Sequence, residues 1–177
     1  MSSLYPASAR RFAPWKNGGG ETAEIVCVPE GAGFDAFQWR ISTARVAASG
    51  PFSVFEGVDR SLSVIEGGAM RLSFGDGQVA EVDVMSGPLA FPGDLTCEAE
   101  LLGPALLDFN VMVRRPLVAR VVPGADYAPT DARCLARYLF ALAPVPGADR
   151  HDLLELDLRT DVPRHAQTLI VEIVSPD

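Results

Sequence analysis

The rarest polar residues of this 177-residue chain sit together. Against fourteen arginines there is a single lysine, Lys16, and the two asparagines are Asn17 and Asn110. A lysine kept where arginine is the rule suggests a need for a compact ammonium that a planar guanidinium cannot imitate. Lys16 and Asn17 run straight into Gly18-Gly19-Gly20, with Trp15 before them. Three glycines weaken regular structure and let a loop approach a ligand closely. Converging N–H groups in such a loop would form an anion-binding nest. The expectation is a binding loop rather than a plain turn. Two apolar stretches carry further candidates. In Phe37–Val46, Arg40 and Ser42 alternate with Trp39 and Ile41. In Ala105–Arg114, Asp108, Asn110 and Met112 alternate with Phe109, Val111 and Val113. Asn is disfavoured in mid-strand, and inward polar residues of a closed barrel line a small-ligand cavity. Arg60, beside Asp59 after the Gly57 turn, adds a charge at a strand mouth, although an exposed ion pair there would be worth little. Arginine forks suit carboxylates, and Asn can read an amide or formyl group.

Other chemistries lack their residues. His151 and His165 are the sole histidines, both in the last third, and read as solvated; no His-based metal site can form in the first two thirds. Cys27, Cys97 and Cys134 are scattered and read as buried thiols, with no C-x-x-C and no disulfide framework. There is no G-x-S-x-G nucleophile elbow, and the glycine run lacks the G-K-[ST] of a phosphate loop. The expectation is no metal and no cofactor. A net charge of −8, with Arg10-Arg11 and Arg114-Arg115 as isolated basic pairs, argues against nucleic acid and anionic membrane as partners. No apolar run spans a bilayer and no leader is seen at Met1–Phe12, so a cytoplasmic location is expected. A homo-oligomer stays open.

The elements that must position these groups are strands. Period-2 stretches separated by Gly/Pro turns recur through the chain and favour an all-β, jelly-roll-like sandwich or barrel. Strands are expected at 22–28, 37–46, 78–84, 89–91, 95–101, 105–114, 118–122, 153–158 and 169–174. Ser61–Ile65 and Met70–Phe74 read as a hairpin around Glu66-Gly67-Gly68. Residues 132–142 fit a strand or a helix. A seam near Arg115-Pro116 suggests two β modules, 1–116 and 117–177, packed as one unit.

Five segments together resemble the HutD/Ves family: Pro14-Trp15-Lys16-Asn17-Gly18-Gly19-Gly20-Glu21-Thr22; Trp39-Arg40-Ile41-Ser42; Gly50-Pro51-Phe52-Ser53; Gly57-Val58-Asp59-Arg60; and Asp108-Phe109-Asn110-Val111-Met112 with Arg114-Arg115. The resemblance covers about residues 10–116 and is loose beyond. It implies a cupin-type double-stranded β-barrel, a bicupin, without demonstrated catalysis. It also implies an association with bacterial histidine utilisation as a small-molecule-binding governor, with an intermediate such as N-formylglutamate as ligand. The expectation is therefore a metal-free cupin-like protein that binds a small acidic metabolite. Arg40, Arg60 and Lys16 would hold negative charge. Ser42, Asn17 and Asn110 would meet polar groups, Gly18, Gly19 and Gly20 would donate backbone N–H, and Trp15 would wall the pocket. Two rivals stand: an isomerase or lyase using Lys16 as base or Schiff-base amine, and a protein-interaction module with a vestigial pocket.

Overall fold

The computed structural model describes residues 3–176. Its strands, in chain order, are β1 (Leu4–Tyr5), β2 (Ala13–Pro14), β3 (Gly20–Val28), β4 (Trp39–Val46), β5 (Gly50–Phe52), β6 (Val58–Gly67), β7 (Met70–Phe74) and β8 (Val79–Val82). They continue with β9 (Leu89–Pro92), β10 (Cys97–Leu101), β11 (Leu106–Arg114), β12 (Val118–Pro123), β13 (Arg133–Ala141), β14 (Leu153–Glu155) and β15 (Thr168–Ser175). The protein is all-β, as its alternating pattern requires. The doubtful stretch 132–142 is strand β13, with a register shift between Cys134 and Ala136. Among the described residues no helix is long and apolar enough to cross a membrane.

The chain divides into two units, residues 11–115 and residues up to 10 with 116 onward. In the first, a six-stranded sheet of order β2-β3-β4-β11-β6-β9 accompanies a four-stranded sheet of order β5-β10-β7-β8. One apolar cluster joins them. Val46, Leu62, Val64 and Leu106 of the larger sheet meet Met70, Leu72, Val82, Cys97 and Ala99 of the smaller. This is the jelly roll of a cupin-type barrel. The even-numbered residues within 40–46 of β4, 60–64 of β6 and 106–112 of β11 point into it. On the other face, Ile41, Phe109 and Val111 are fully buried.

The expected hairpin at Glu66-Gly67-Gly68 does not form. β6 pairs with β11 and β9, whereas β7 pairs with β10 and β8. The chain changes sheets here because Gly67, at φ +90°, and Gly68 lie flush against the backbone of Pro104–Leu106. A side chain at either position would collide with a carbonyl oxygen there. A turn-like dipeptide between two strands reads as a hairpin in sequence; the partner segment that makes it a corner is some 35 residues away.

The second unit holds one five-stranded sheet, β1-β14-β13-β15-β12, and not a pair of facing sheets. The bicupin expectation is realised only in part. Leu4 and Tyr5 pair with Leu154 and Leu153, so the first ten residues belong with this unit and not with the module that follows them. Its core contains Leu139, Ala141 and Ile170. It also holds a buried carboxylate, Glu172, which accepts hydrogen bonds from Tyr127 Oη (2.8 Å), Arg137 Nε (3.0 Å) and Arg120 Nη1. A buried charge is tolerable when its lone pairs are met this fully. His151, expected to be solvated, is buried and stacks on Phe140 at 5.8 Å. Cys27 and Cys97 are buried as expected, while Cys134 is half-buried.

Candidate functional site

The barrel of residues 11–115 contains a cavity of about 610 Å3, within the range of small-molecule sites. Three neighbouring strands build its floor. Antiparallel register sets Arg40 on β4 opposite Met112 on β11, and Met112 opposite Arg60 on β6. The next rung is Ser42, Asn110 and Leu62, and the next Ala44, Asp108 and Val64. Strand alternation thus brings Arg40, Ser42, Asp108, Asn110, Met112 and Arg60 to one surface. Phe109 and Val111, placed opposite by the same alternation, are fully buried.

The wall is aromatic. Trp15 contacts Phe52 edge to face at 6.2 Å, and its Nε1 donates to Thr22 Oγ1 at 2.7 Å, which fixes the indole over the cavity. Phe34 and Phe55 pack at 5.6 Å. Phe34 stays 59% exposed and lies 4.9 Å under the Arg40 guanidinium. Its loop is pinned from below: Arg114 donates to the carbonyls of Phe34, Phe37 and Glu56. Arg115 bridges Asp59 and Asp94, and Asp94 also accepts the Gly57 N–H at 2.9 Å. The Arg114-Arg115 pair therefore serves as a clamp on the loops that frame the cavity.

The glycine loop behaves differently from expectation. Gly18, at φ +72°, donates its N–H to the Trp15 carbonyl, and Gly19 donates to Asn17 Oδ1 at 2.9 Å. These N–H groups are spent inside the loop, so no anion nest is presented. Asn17 Oδ1 is occupied in the same way. Gly18, Gly19 and Gly20 do not line the cavity. Gly20 is needed for packing, because a Cβ there would overlap the Arg45 carbonyl and touch the Trp15 ring at 3.0 Å. The glycines shape the loop; Trp15, Lys16 and Asn17 are what it delivers to the cavity wall.

Of the ten candidates, Trp15, Lys16, Asn17, Arg40, Ser42, Arg60 and Asn110 line this one cavity. Lys16 is exposed at its rim. Arg40 is half-buried and its Nε donates to Glu24 at 2.8 Å. Arg60, 8% exposed, is ringed by Phe52, Phe55 and Phe91 at 5.6, 5.6 and 5.2 Å. Its neighbour Asp59 points the other way, to Arg115. Burial lowers the proton affinity of the Arg60 guanidinium, and the Asp108 carboxylate opposes this.

Sequence reasoning set Asp108 on the right face but gave it no role. It is 2% exposed, and burial pushes its carboxyl up to about 7, against the pull of Arg60 and of the Ala44 N–H. Its Oδ1 has no hydrogen-bond partner, nor has Oδ1 of Asn110, which is 6% exposed. Arg60 Nε is likewise unmatched. Leaving such buried groups unpaired costs about 1–3 kcal/mol each. Three unmatched polar atoms thus share one cavity floor. The lining offers one carboxylate and no His or Cys, a donor set that does not fit a resident transition metal.

Comparison with known proteins places the chain in a family. The chain is 43% identical over 114 residues to an uncharacterised 21.2 kDa protein in the hutC 3′ region of Pseudomonas putida. That match covers 63% of the chain and 59% of the relative, so the chain spans about three fifths of that protein's length. It is 36% identical over 130 residues to Protein Ves of Cronobacter sakazakii, covering 73% of the chain and 70% of that protein. The structure of HutD from Pseudomonas fluorescens SBW25 superposes with a TM-score of 0.81, at 28% identity and full coverage of both chains. The HutD family profile matches residues 7–135, across the loop of Lys16, the three floor strands and the Arg114-Arg115 clamp, and the chain belongs to the HutD family.

Proposed function

We propose that this protein binds a small carboxylate metabolite in the cavity of residues 11–115 and acts as a sensor in histidine utilisation, in the cytoplasm and without a metal. The observation that carries the reading is one of charge. Three cations, Lys16, Arg40 and Arg60, line a cavity with a single carboxylate, Asp108, in a chain of net charge −8. Concentrating positive charge inside an acidic protein attracts anions to that place. Lys16 at the rim and Arg40 on the floor take the carboxylate, the latter by its fork. Arg60, beneath its three aromatic rings, adds a positive field from below. Trp15, Phe34 and Phe52 cover the carbon skeleton. The pathway rests on the family and on the P. putida relative's place in the hutC 3′ region.

Calorimetric titration with N-formylglutamate and its diamide tests this. The diacid should bind and the diamide should bind at least 10-fold more weakly, because a charge-assisted hydrogen bond is worth about 1.5–3 kcal/mol. Equal affinities would end the carboxylate reading.

A second reading, a lyase or isomerase, draws on one observation: a cavity carboxyl whose pKa is about 7 is tuned for proton transfer near neutral pH. Product formed from a bound ligand would favour it; saturable binding without turnover favours the sensor.

A further inference from the structure

The floor has a chemistry that the cations do not explain. Asp108 Oδ1 and Asn110 Oδ1 are both buried acceptors without a donor. They stand two residues apart on β11, so both face the cavity. Their rung partners bring no side-chain donor to these two atoms: the side chains of Ala44, Val64 and Leu62 are apolar, the Ala44 N–H already serves the Asp108 carboxyl and still leaves Oδ1 unmatched, and the Ser42 hydroxyl stands next to Asn110. Arg60 sits on the rung of Met112, one step beyond Asn110, and its Nε is itself unmatched.

Resting on the carboxylate reading above, we propose that Asp108 and Asn110 form a donor-recognising subsite. It takes an amide N–H of a ligand whose carboxylate lies at Lys16 and Arg40. The ligand class is then narrower than small carboxylates: it is carboxylates bearing an amide N–H a few bonds away. Plain dicarboxylates satisfy the rim and leave the floor unpaired. A second carboxylate pressed onto Asp108 would be repelled.

The proposal has a protonic consequence. An N–H donor at Asp108 favours its ionised form, so a carboxyl that is about half protonated at pH 7 gives its proton to the buffer on binding. An anion placed there would do the reverse and draw a proton in. Of the charged and titratable groups around Asp108, Arg60 on β6 acts on it directly, Arg40 on β4 and Cys97 on β10 act on Arg60, and Lys16, between β2 and β3, lines the same cavity. Burial favours protonation of Asp108, and Arg60 and the Ala44 N–H oppose it.

The test uses N-acetylglutamate and its shape-matched ester 2-acetoxyglutarate, which has oxygen in place of N–H. Both are titrated into the full chain at pH 7, in phosphate and in Tris, whose ionisation enthalpies differ. The amide should bind at least about 10-fold tighter than the ester, or about 1.4 kcal/mol. Its binding should release a proton. Asn110→Ala should shrink the preference, and Asp108→Asn should abolish the proton release. Circular dichroism and tryptophan fluorescence check each variant's fold, and Asn110→Ala keeps the test decisive if Asp108→Asn does not fold. Equal binding of amide and ester, or proton uptake with the amide, overturns the donor subsite and leaves the carboxylate reading standing. Undiminished binding of the N-acetylglutamate diester, with the N–H preference kept, supports the subsite and overturns the carboxylate reading. No binding of either probe at millimolar concentration overturns both.

Discussion

Asp108 should make the stability of the barrel depend on pH in the opposite sense to most carboxylates. Its pKa rises from 3.8 to about 7 because burial disfavours the charge more than Arg60 and the Ala44 N–H restore it. The gap corresponds to roughly 4 kcal/mol. A carboxyl raised in the folded state contributes stability that is fully present below pH 3.8 and is lost as pH climbs through about 7. Integrating from pH 5 to pH 9 gives a loss of about 3 kcal/mol, most of it before pH 7. Asp94, lowered to about 2 by its hydrogen bonds to Arg115 and Gly57, acts with the opposite sign and only in acid, so the windows do not overlap. Urea unfolding at constant ionic strength measures this, followed by tryptophan emission, since both tryptophans, Trp15 and Trp39, lie in residues 11–115. Asp108→Asn is the control. Its absolute stability reflects two opposing changes, relief of a buried charge and loss of a counter-ion for Arg60. The slope is cleaner, because the variant has no proton to lose. Wild-type stability should fall between pH 5 and 9 while the variant's stays flat by comparison. Parallel curves for the two proteins would refute the reasoning.

Three further outcomes follow from particular contacts. Lys16→Gln should leave stability within about 0.5 kcal/mol, as for an exposed residue, yet weaken N-formylglutamate roughly 10-fold, measured by thermal melting and calorimetry. Gly20→Ala should destabilise the unit by about 1–3 kcal/mol in urea unfolding, since its Cβ would press on the Arg45 carbonyl and the Trp15 ring. Arg114→Ala should speed amide hydrogen exchange in residues 33–37 by freeing the carbonyls of Phe34 and Phe37, and exchange unchanged there would remove its role as a clamp.

Period-2 alternation was enough to read the longer strands and the inward face of β4 and β11, because a strand's pleat is local, but not the short β1, β2 and β5. Arg40 and Asn110 were placed on the cavity face for the same reason, whereas Lys16, in the loop between β2 and β3, stood out by the scarcity of Lys and its place before the glycine run. Pairing was not legible. Gly67-Gly68 looks like a hairpin until Pro104–Leu106 is set against it, and no local pattern contains that contact. Leu4 and Tyr5 are too short a strand to announce β14 as their partner. The glycine nest failed because three glycines permit many loops, and this one turns its N–H groups onto Trp15 and Asn17. Asp108 was seen on the cavity face but not as a site residue, since its weight comes from complete burial and a missing donor. Phe34 lies in a loop with no periodicity and reaches the cavity through the Arg114 clamp.

The cavity of residues 11–115 is proposed to take a carboxylate on Lys16 and Arg40, within the positive field of Arg60. The most direct test of this is a chemical-shift titration of the isotopically labelled protein with N-formylglutamate, followed on Lys16 Nζ, the Arg40 and Arg60 Nε–H groups and the Trp15 Nε1–H. The account predicts saturable shifts at these groups together, with none at Arg120, Arg137 or His151 in the other unit. Saturable binding that moves the second unit and leaves Lys16, Arg40 and Arg60 unshifted would contradict it.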